Sequence, residues 1–323
     1  MARRRALEPR RSPARPIGPL RFPRRLGSNL RMNRVFYHLG LFRAALALAQ
    51  HLPRPALHSL ARSVGRLGYW RNPAGQRALR SNLARVTDRR ERDFEGLCRR
   101  NVQFFSEMLA DYFLCAGNPE HAGDLVESWV GIEHLHSARS RGKGVIVVTG
   151  HLGNWELGAN ILAGLGLPMS IITLEEPSSE LSRWRESHRQ KLGIKTITVG
   201  PGHNFAFVEM IQALRRNELV AMLVDRPHEG SGSLVDFFGT PAPFSTGPAL
   251  LWQHTGAAVV PAFVLRNDRG GYQSFVAPLI ELESAPDPRD SLRDNTQRIA
   301  AYFETVIREH PEQWFNYVPI WNS

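Results

Sequence analysis

Apolar residues recur along this chain with two different periods, and their alternation predicts the fold class. Val145-Ile-Val-Val148 follows Gly142-Lys-Gly144 and is apolar at consecutive positions, the pattern of a strand buried on both faces of a parallel sheet. Ser170 to Thr173, Lys195 to Val199, Leu219 to Val224, Ala257 to Leu265 and Gln273 to Ala277 also read as strands. Helical spacing fills the intervals: Trp155 to Leu165, the basic and polar Leu181 to Leu192, and the amphipathic Phe205 to Arg216. A further helix, Ser291 to His310, carries Leu292, Ile299, Phe303 and Val306 on one stripe before Pro311 stops it. Upstream, Asn82 to Cys115 is helical and rich in Phe and Arg, and Glu283 to Asp290 is a turn-rich linker. The expected fold is therefore α/β, a mixed, largely parallel central sheet flanked by helices.

Val35 to Leu52 is the one candidate membrane segment, dense in Leu and Phe but interrupted by His38, Arg43, Gln50 and His51. An arginine at the centre of a span costs ~2.5–3.5 kcal/mol, so the pattern predicts a helix lying in the membrane interface rather than crossing it. An ordinary packed helix is the alternative.

Charge divides the chain unevenly. Residues 1 to 34 hold eleven arginines and a single acid, Glu8, so nearly all of the net charge of +11 sits in this tail and the body is close to neutral. A Pro-rich arginine segment cannot pack a core and is expected to be disordered. Met32 is an alternative start, which would remove the tail altogether. With no apolar h-region, the tail does not read as a signal peptide. The expected organisation is thus a tail over residues 1–34, an interfacial helix over 35–55 and one domain over 56–323. Nucleic acid is not an expected partner, because the charge is confined to the tail. Cys98 and Cys115 have no metal-ligand spacing and do not suggest a disulfide scaffold.

The chemistry is concentrated in Thr149-Gly-His-Leu-Gly-Asn-Trp-Glu156, at the carboxyl end of a strand, where α/β proteins place their sites. On a continuous helix, His151 and Glu156 would point about 140° apart. Gly153 and Asn154 supply a turn and an N-cap between them, which would let the carboxylate orient the imidazole as a general base. Backbone amides at Gly153 and Asn154 are the candidate donors for an oxyanion. Asp225-Arg226 ends a strand at the same edge of the sheet. Arg226 is a candidate phosphate ligand, although an Asp-Arg pair can also merely close a loop. Phe237, Phe238 and Gly239, with the prolines that follow, could wall an acyl chain or simply pack in the core. His228 and Glu229 are weaker candidates in an exposed turn, and the aromatic stretch Trp314 to Trp321 suits either a membrane interface or a fold-back onto the domain. Serine-hydrolase elbow, P-loop and dinucleotide motifs are absent from the sequence.

His151-x-Gly153-Asn154-Trp155-Glu156 resembles the signature of the lysophospholipid acyltransferase superfamily, and its wording is closest to the lipid A biosynthesis (lauroyl/myristoyl) acyltransferase branch. Leu219 to Arg226, Val235 to Gly239, Pro241-Ala242, Thr246-Gly247 and Thr255 to Pro261 resemble later blocks of that branch in the same order, so the similarity runs from about residue 35 onward. The Pro-Glu-Gly-Thr block of glycerolipid relatives is replaced by Phe237-Phe-Gly-Thr240, which favours a glycolipid acceptor. The resemblance implies transfer of a fatty acyl group from acyl-carrier protein or acyl-CoA to a hydroxyl of a lipid A precursor-like acceptor; the alternatives are another lysolipid or lipid-like acceptor, an acyl thioesterase, and a non-catalytic basic membrane- or nucleic-acid-binding protein. It implies no cofactor beyond the thioester substrate, and a position on the cytoplasmic face of the bacterial inner membrane.

Overall fold

The computed structural model describes residues 39–87, 91–119, 121–175, 178–227 and 232–321. The arginine tail, residues 35–38 of the expected interfacial segment, and His228 and Glu229 lie outside these residues. In chain order the elements are α1 (Leu39–His51), α2 (Arg54–Trp70), α3 (Pro73–Val86), α4 (Glu91–Gly117), α5 (His121–Asp124), β1 (Val126–Val130), α6 (Ile132–Ser140), β2 (Val145–Thr149), α7 (Trp155–Gly164), β3 (Met169–Leu174), α8 (Ser179–Lys191), β4 (Ile194–Val199), α9 (Ala206–Arg215), β5 (Leu219–Leu223), β6 (Gly232–Phe237), β7 (Thr240–Ser245), α10 (Gly247–Thr255), β8 (Ala258–Arg266), β9 (Tyr272–Val276) and α11 (Pro288–Glu309).

Seven strands form one sheet in the order β1-β9-β8-β2-β5-β3-β4, while β6 and β7 make a separate antiparallel hairpin. The run from β8 to β4 is parallel throughout, and β9 pairs antiparallel to β8, so the sheet is mixed and mostly parallel, as the strand pattern predicts. β2 is central, and its first four residues are buried on both faces. Apolar residues of β2, β5 and β8 accordingly feed two cores. Ile146, Val148 and Val220 face the one that holds Phe303 and Trp314, and Val145, Val147 and Leu219 face the other. The segment from Asn82 to Cys115 is divided between two helices, α3 and α4, and the β6–β7 hairpin and β1 add elements that the periodicity does not mark. Cys98 and Cys115 are both buried on α4, where burial pushes their thiols up to about 11 and about 12, so neither forms a thiolate at neutral pH.

Two N-terminal helices lie against α4 by different means. Phe42 of α1 is buried among the rings of Tyr112, Phe113 and Trp184, at centroid distances of 6.4, 5.1 and 4.6 Å, while Leu41 and Leu48 on the other side of the helix are exposed. Among the described residues no helix is long and apolar enough to cross a membrane. α2 is fastened by charge. Arg54, His58 and Arg62 recur every fourth residue and meet Glu107 and Asp111 of α4, which share the same spacing. Asp111 accepts from Arg54 through both oxygens (2.8 and 2.9 Å), from His58 Nε2 (2.8 Å) and from the Tyr272 hydroxyl (2.8 Å). Leu57 of the same helix is buried with Ala110 of α4, while Leu60, Val64 and Leu67 are exposed along one stripe.

Burial alone would raise the Asp111 carboxyl, but the Arg54 and His58 donors outweigh it and hold the group below its ordinary value. A carboxyl depressed in this way stabilises the fold above its unfolded pKa, and the contribution is lost as pH falls through the lower folded value. Asp111→Ala strands the buried partners and should cost about 3–5 kcal/mol. Urea denaturation at neutral pH measures this, and an unchanged midpoint would contradict it.

Candidate functional site

Thr149 and Leu223 are register partners on the adjacent parallel strands β2 and β5, and each is followed two residues later by a site residue, His151 and Asp225. In-register parallel pairing turns equal offsets into spatial neighbours, so residues 74 apart in sequence meet past the carboxyl ends of the strands. His151 Nδ1 lies 2.8 Å from Asp225 Oδ1, and the His151 amide donates to both carboxylate oxygens at 3.1 Å. Trp314 Nε1 (2.9 Å) and Asn316 Nδ2 (3.0 Å) donate to Oδ2. The Asp225 side chain is fully enclosed, whereas 20% of the His151 side chain stays exposed.

The local sequence is built for this approach. A side chain at Gly150 would put its Cβ 3.1 Å from the Phe303 ring and 3.3 Å from the Asp225 carboxyl carbon, tighter than ordinary contact. Gly153 adopts φ +63°, where a Cβ would collide with the Val264 carbonyl, and Asn154 then caps α7 by accepting from the Leu157 amide at 3.0 Å.

An ionised carboxylate offers only lone pairs, so the contact at 2.8 Å requires the proton on Nδ1 and leaves Nε2 as the basic nitrogen. Arg226 Nε stands 3.1 Å from the same Nδ1, and since a protonated Nδ1 has no lone pair for it, that contact acts through charge. Enclosure by protein is the largest cause lowering the His151 pKa. Arg226 lowers it further, and Asp225 opposes both. For Asp225, burial pushes upward, but the His151 contact, Arg226 and the Asn316 donor outweigh it and hold the carboxyl far below its usual range. At neutral pH the site therefore presents a neutral imidazole, fixed in one tautomer by a permanent anion.

His151 borders a cavity of about 950 Å³. Arg185, Arg189 and Arg226 give it a cationic wall, and Ile161, Leu162, Ile171, Ala221, Phe207 and Met210 are among its apolar lining.

Several sequence expectations are redistributed by the fold. Glu156 lines the same cavity, but both its oxygens lie 3.5 Å from Arg189 Nη2, and the carboxylate on the imidazole is that of Asp225. The physical reason is that α7 already begins at Trp155, whose ring stands edge-on beside His151 at 5.3 Å and carries the next side chain toward α8. Gly153 and Asn154 do not offer free amides, since they donate to the carbonyls of Gln313 (3.0 Å) and Val264 (2.7 Å). Phe238 and Gly239 sit at the turn of the β6–β7 hairpin and are not among the cavity's lining residues. The Phe238 amide donates to Glu304 at 2.7 Å and Arg308 covers its ring. Trp314, Phe315 and Trp321 fold into the core rather than standing out toward solvent. Trp314, Asn316, Arg185 and Arg189 are the site residues that the sequence reading missed. A Trp and an Asn inside an aromatic stretch were the only signal for the first two.

Residues 28–323 match the family described as bacterial lipid A biosynthesis acyltransferase. A phosphatidylinositol mannoside acyltransferase of Mycobacterium tuberculosis is 30% identical over 193 residues, which are 59% of this chain and 58% of that protein. One from Mycolicibacterium smegmatis is 27% identical over 280 residues, 85% of this chain and 90% of that protein. The lipid A biosynthesis palmitoleoyltransferase of Escherichia coli is 27% identical over 191 residues, 57% of this chain and 58% of that protein. The chain thus spans little more than half the length of the first and third of these relatives, and nearly all of the second.

NMR titration of the His151 ring should give a midpoint below the ordinary imidazole value of 6.5. Arg226→Leu, which removes a lowering charge, should move the midpoint up. An identical midpoint in both proteins would show that the cation does not act on the ring.

Proposed function

The chain belongs to the bacterial lipid A biosynthesis acyltransferase family, and from that premise we propose that it transfers a fatty acyl group from an acyl thioester, carried by acyl-carrier protein or CoA, to a hydroxyl of a sugar-bearing lipid. The observation that carries this reading is the imidazole of His151, held 2.8 Å from the Asp225 carboxylate beside a cavity with apolar walls and three guanidinium groups. In the proposed reaction Nε2 takes the proton of the acceptor hydroxyl as its oxygen attacks the thioester carbonyl. The tetrahedral intermediate then expels the thiolate, which takes the proton back from the imidazolium, and an ester and a thiol leave. Asp225 stabilises the transient imidazolium, and no acyl-enzyme forms.

With the amides of Gly153 and Asn154 engaged, the oxyanion role passes in this reading to the next amides of the turn, those of Trp155 and Glu156 at the start of α7. Glu156 balances Arg189, and the wall formed by Arg185, Arg189 and Arg226 is suited to a phosphate on either substrate. The relatives named above act on phosphatidylinositol mannoside or in lipid A biosynthesis, both glycolipids, which supports a glycolipid acceptor here.

Such an acceptor resides in a bilayer, and the reading includes peripheral attachment at the membrane through α1 and α2. The exposed Leu41 and Leu48 of α1 and Leu60, Val64 and Leu67 of α2 are apolar, and residues 39–71 contain five arginines and no acid, a composition suited to anionic lipid. Phe42 packs on Trp184, and Arg185, which lies over the Phe42 ring, also lines the cavity, so α1 adjoins the cavity's cationic wall.

Incubating the protein with an acyl thioester and a membrane glycolipid should yield a new ester-linked lipid by mass spectrometry, and His151→Ala should reduce its rate by about 10²–10⁴-fold. Free fatty acid as the sole product would establish hydrolysis instead, and a fully active His151→Ala enzyme would remove the base from the mechanism. In flotation with anionic vesicles, Leu41→Asp with Leu48→Asp should shift the protein to the unbound fraction. Undiminished binding would place the attachment elsewhere.

A further inference from the structure

The segment just past α11 reaches the site at three points. The Phe315 amide donates to the His151 carbonyl at 2.7 Å, the Gln313 carbonyl accepts from Gly153 at 3.0 Å, and Leu152 and Trp314 form an antiparallel bridge between the two segments. Trp314 Nε1 and Asn316 Nδ2 then converge on a single oxygen, Oδ2 of Asp225, leaving Oδ1 to His151 Nδ1. Both side chains are fully buried. The segment is itself held from the other end of the chain. Asn82 donates to the carbonyls of Asn316 (2.9 Å) and Val318 (2.8 Å), and Asn101 donates to that of Trp314 (2.8 Å).

We propose that Trp314 and Asn316 are positioning residues for the proposed acyl transfer, fixing the rotation of the Asp225 carboxylate so that one oxygen is always directed at His151 and drawing off part of its charge through the other. The proposal rests on the acyltransfer reading, in which His151 is the base. Two charge-assisted hydrogen bonds to Oδ2 oppose rotation of a group whose Oδ1 must keep its contact with the imidazole. They also compete with the imidazole for the carboxylate's electron density, so removing either one makes Asp225 a stronger partner and stabilises the imidazolium. The other charged or titratable groups lining the cavity are Arg226 beside His151, Glu156 on α7, Glu175 after β3, Arg185 and Arg189 on α8, and His203 before α9. None of these is altered by the variants below.

Trp314→Phe keeps an aromatic ring and deletes the donor, and Asn316→Ala deletes the second donor. Trp321→Phe is the control, because Trp321 belongs to the same aromatic cluster, 6.2 Å from Trp314 by ring centroids, but donates to the carbonyls of Phe237 and Thr240, away from the site. Trp314→Phe and Asn316→Ala should each lower kcat by about ten- to a hundredfold with little change in KM, as expected for slight misplacement of a catalytic group. Each should also move the acidic limb of the kcat/KM profile to higher pH. Trp321→Phe should lower the Tm and leave the pH profile where it was. The His151 ring titration, followed by NMR without substrate, should rise in the first two variants only. If both site variants keep wild-type kcat and profile, or if Trp321→Phe moves the profile equally, the segment is merely structural. A fully active His151→Ala enzyme would instead remove His151 as the base, and free fatty acid as the sole product would overturn acyl transfer itself, so these failures are distinguishable from that of the positioning role.

Discussion

One buried carboxylate sets the terms for much of this structure. Asp225 carries its charge in a place without water, and such a charge is tolerable only when donors surround it. The donors come from two separate parts of the chain, the loop after β2 and the segment at 314–316, and the adjacent Arg226 adds its positive charge. Each places a demand on the sequence. The β2 loop needs glycine at 150 so that its backbone can come close, the strands need equal register so that 151 and 225 coincide, and the later segment must return across the top of the sheet. Side chains at Asn82 and Asn101 are spent on backbone carbonyls of that returning segment, which explains why these two asparagines are buried.

The balance around His151 follows from the same group. Charge alone would make an imidazole beside a carboxylate more basic, and a weaker acid is slow to return its proton. Here enclosure and Arg226 pull the other way, so the ring keeps the orienting effect of the anion without being locked in its protonated form. The buried ion pairs of α2 show another use of charge. Asp111 and Glu107 share the attachment of the helix to α4 with the buried Leu57, and Leu60, Val64 and Leu67 face outward.

Much of this was legible in the sequence. The strand pattern predicts the parallel core, because residues buried on both faces must be apolar without interruption, and His151 stands out because its glycine-rich loop follows such a strand. The carboxylate that serves it was harder to see. Glu156 is near in sequence and Asp225 is distant, and only the pairing of β2 with β5 makes the distant one the neighbour. Sequence spacing describes geometry within an element and says little about geometry between elements. The hairpin is open in the sequence for a related reason: paired Phe residues mark an apolar surface, but whether it meets a ligand or a helix depends on where α11 lies. The aromatic stretch marks the segment of Trp314 and Asn316, but their contacts with Asp225 arise only when the chain returns to the sheet.

The latch between Asn82 and the segment at 316–320 closes a circuit of more than two hundred residues. Closing so long a loop costs entropy that the local contacts of the strands do not incur, so the donors to Asp225 depend on contacts made across the whole fold. A partly assembled chain could hold the central strands and even the cavity, yet its Asp225 would still lack two donors. The completion of the fold and the electrostatic setting of Asp225 are thereby coupled.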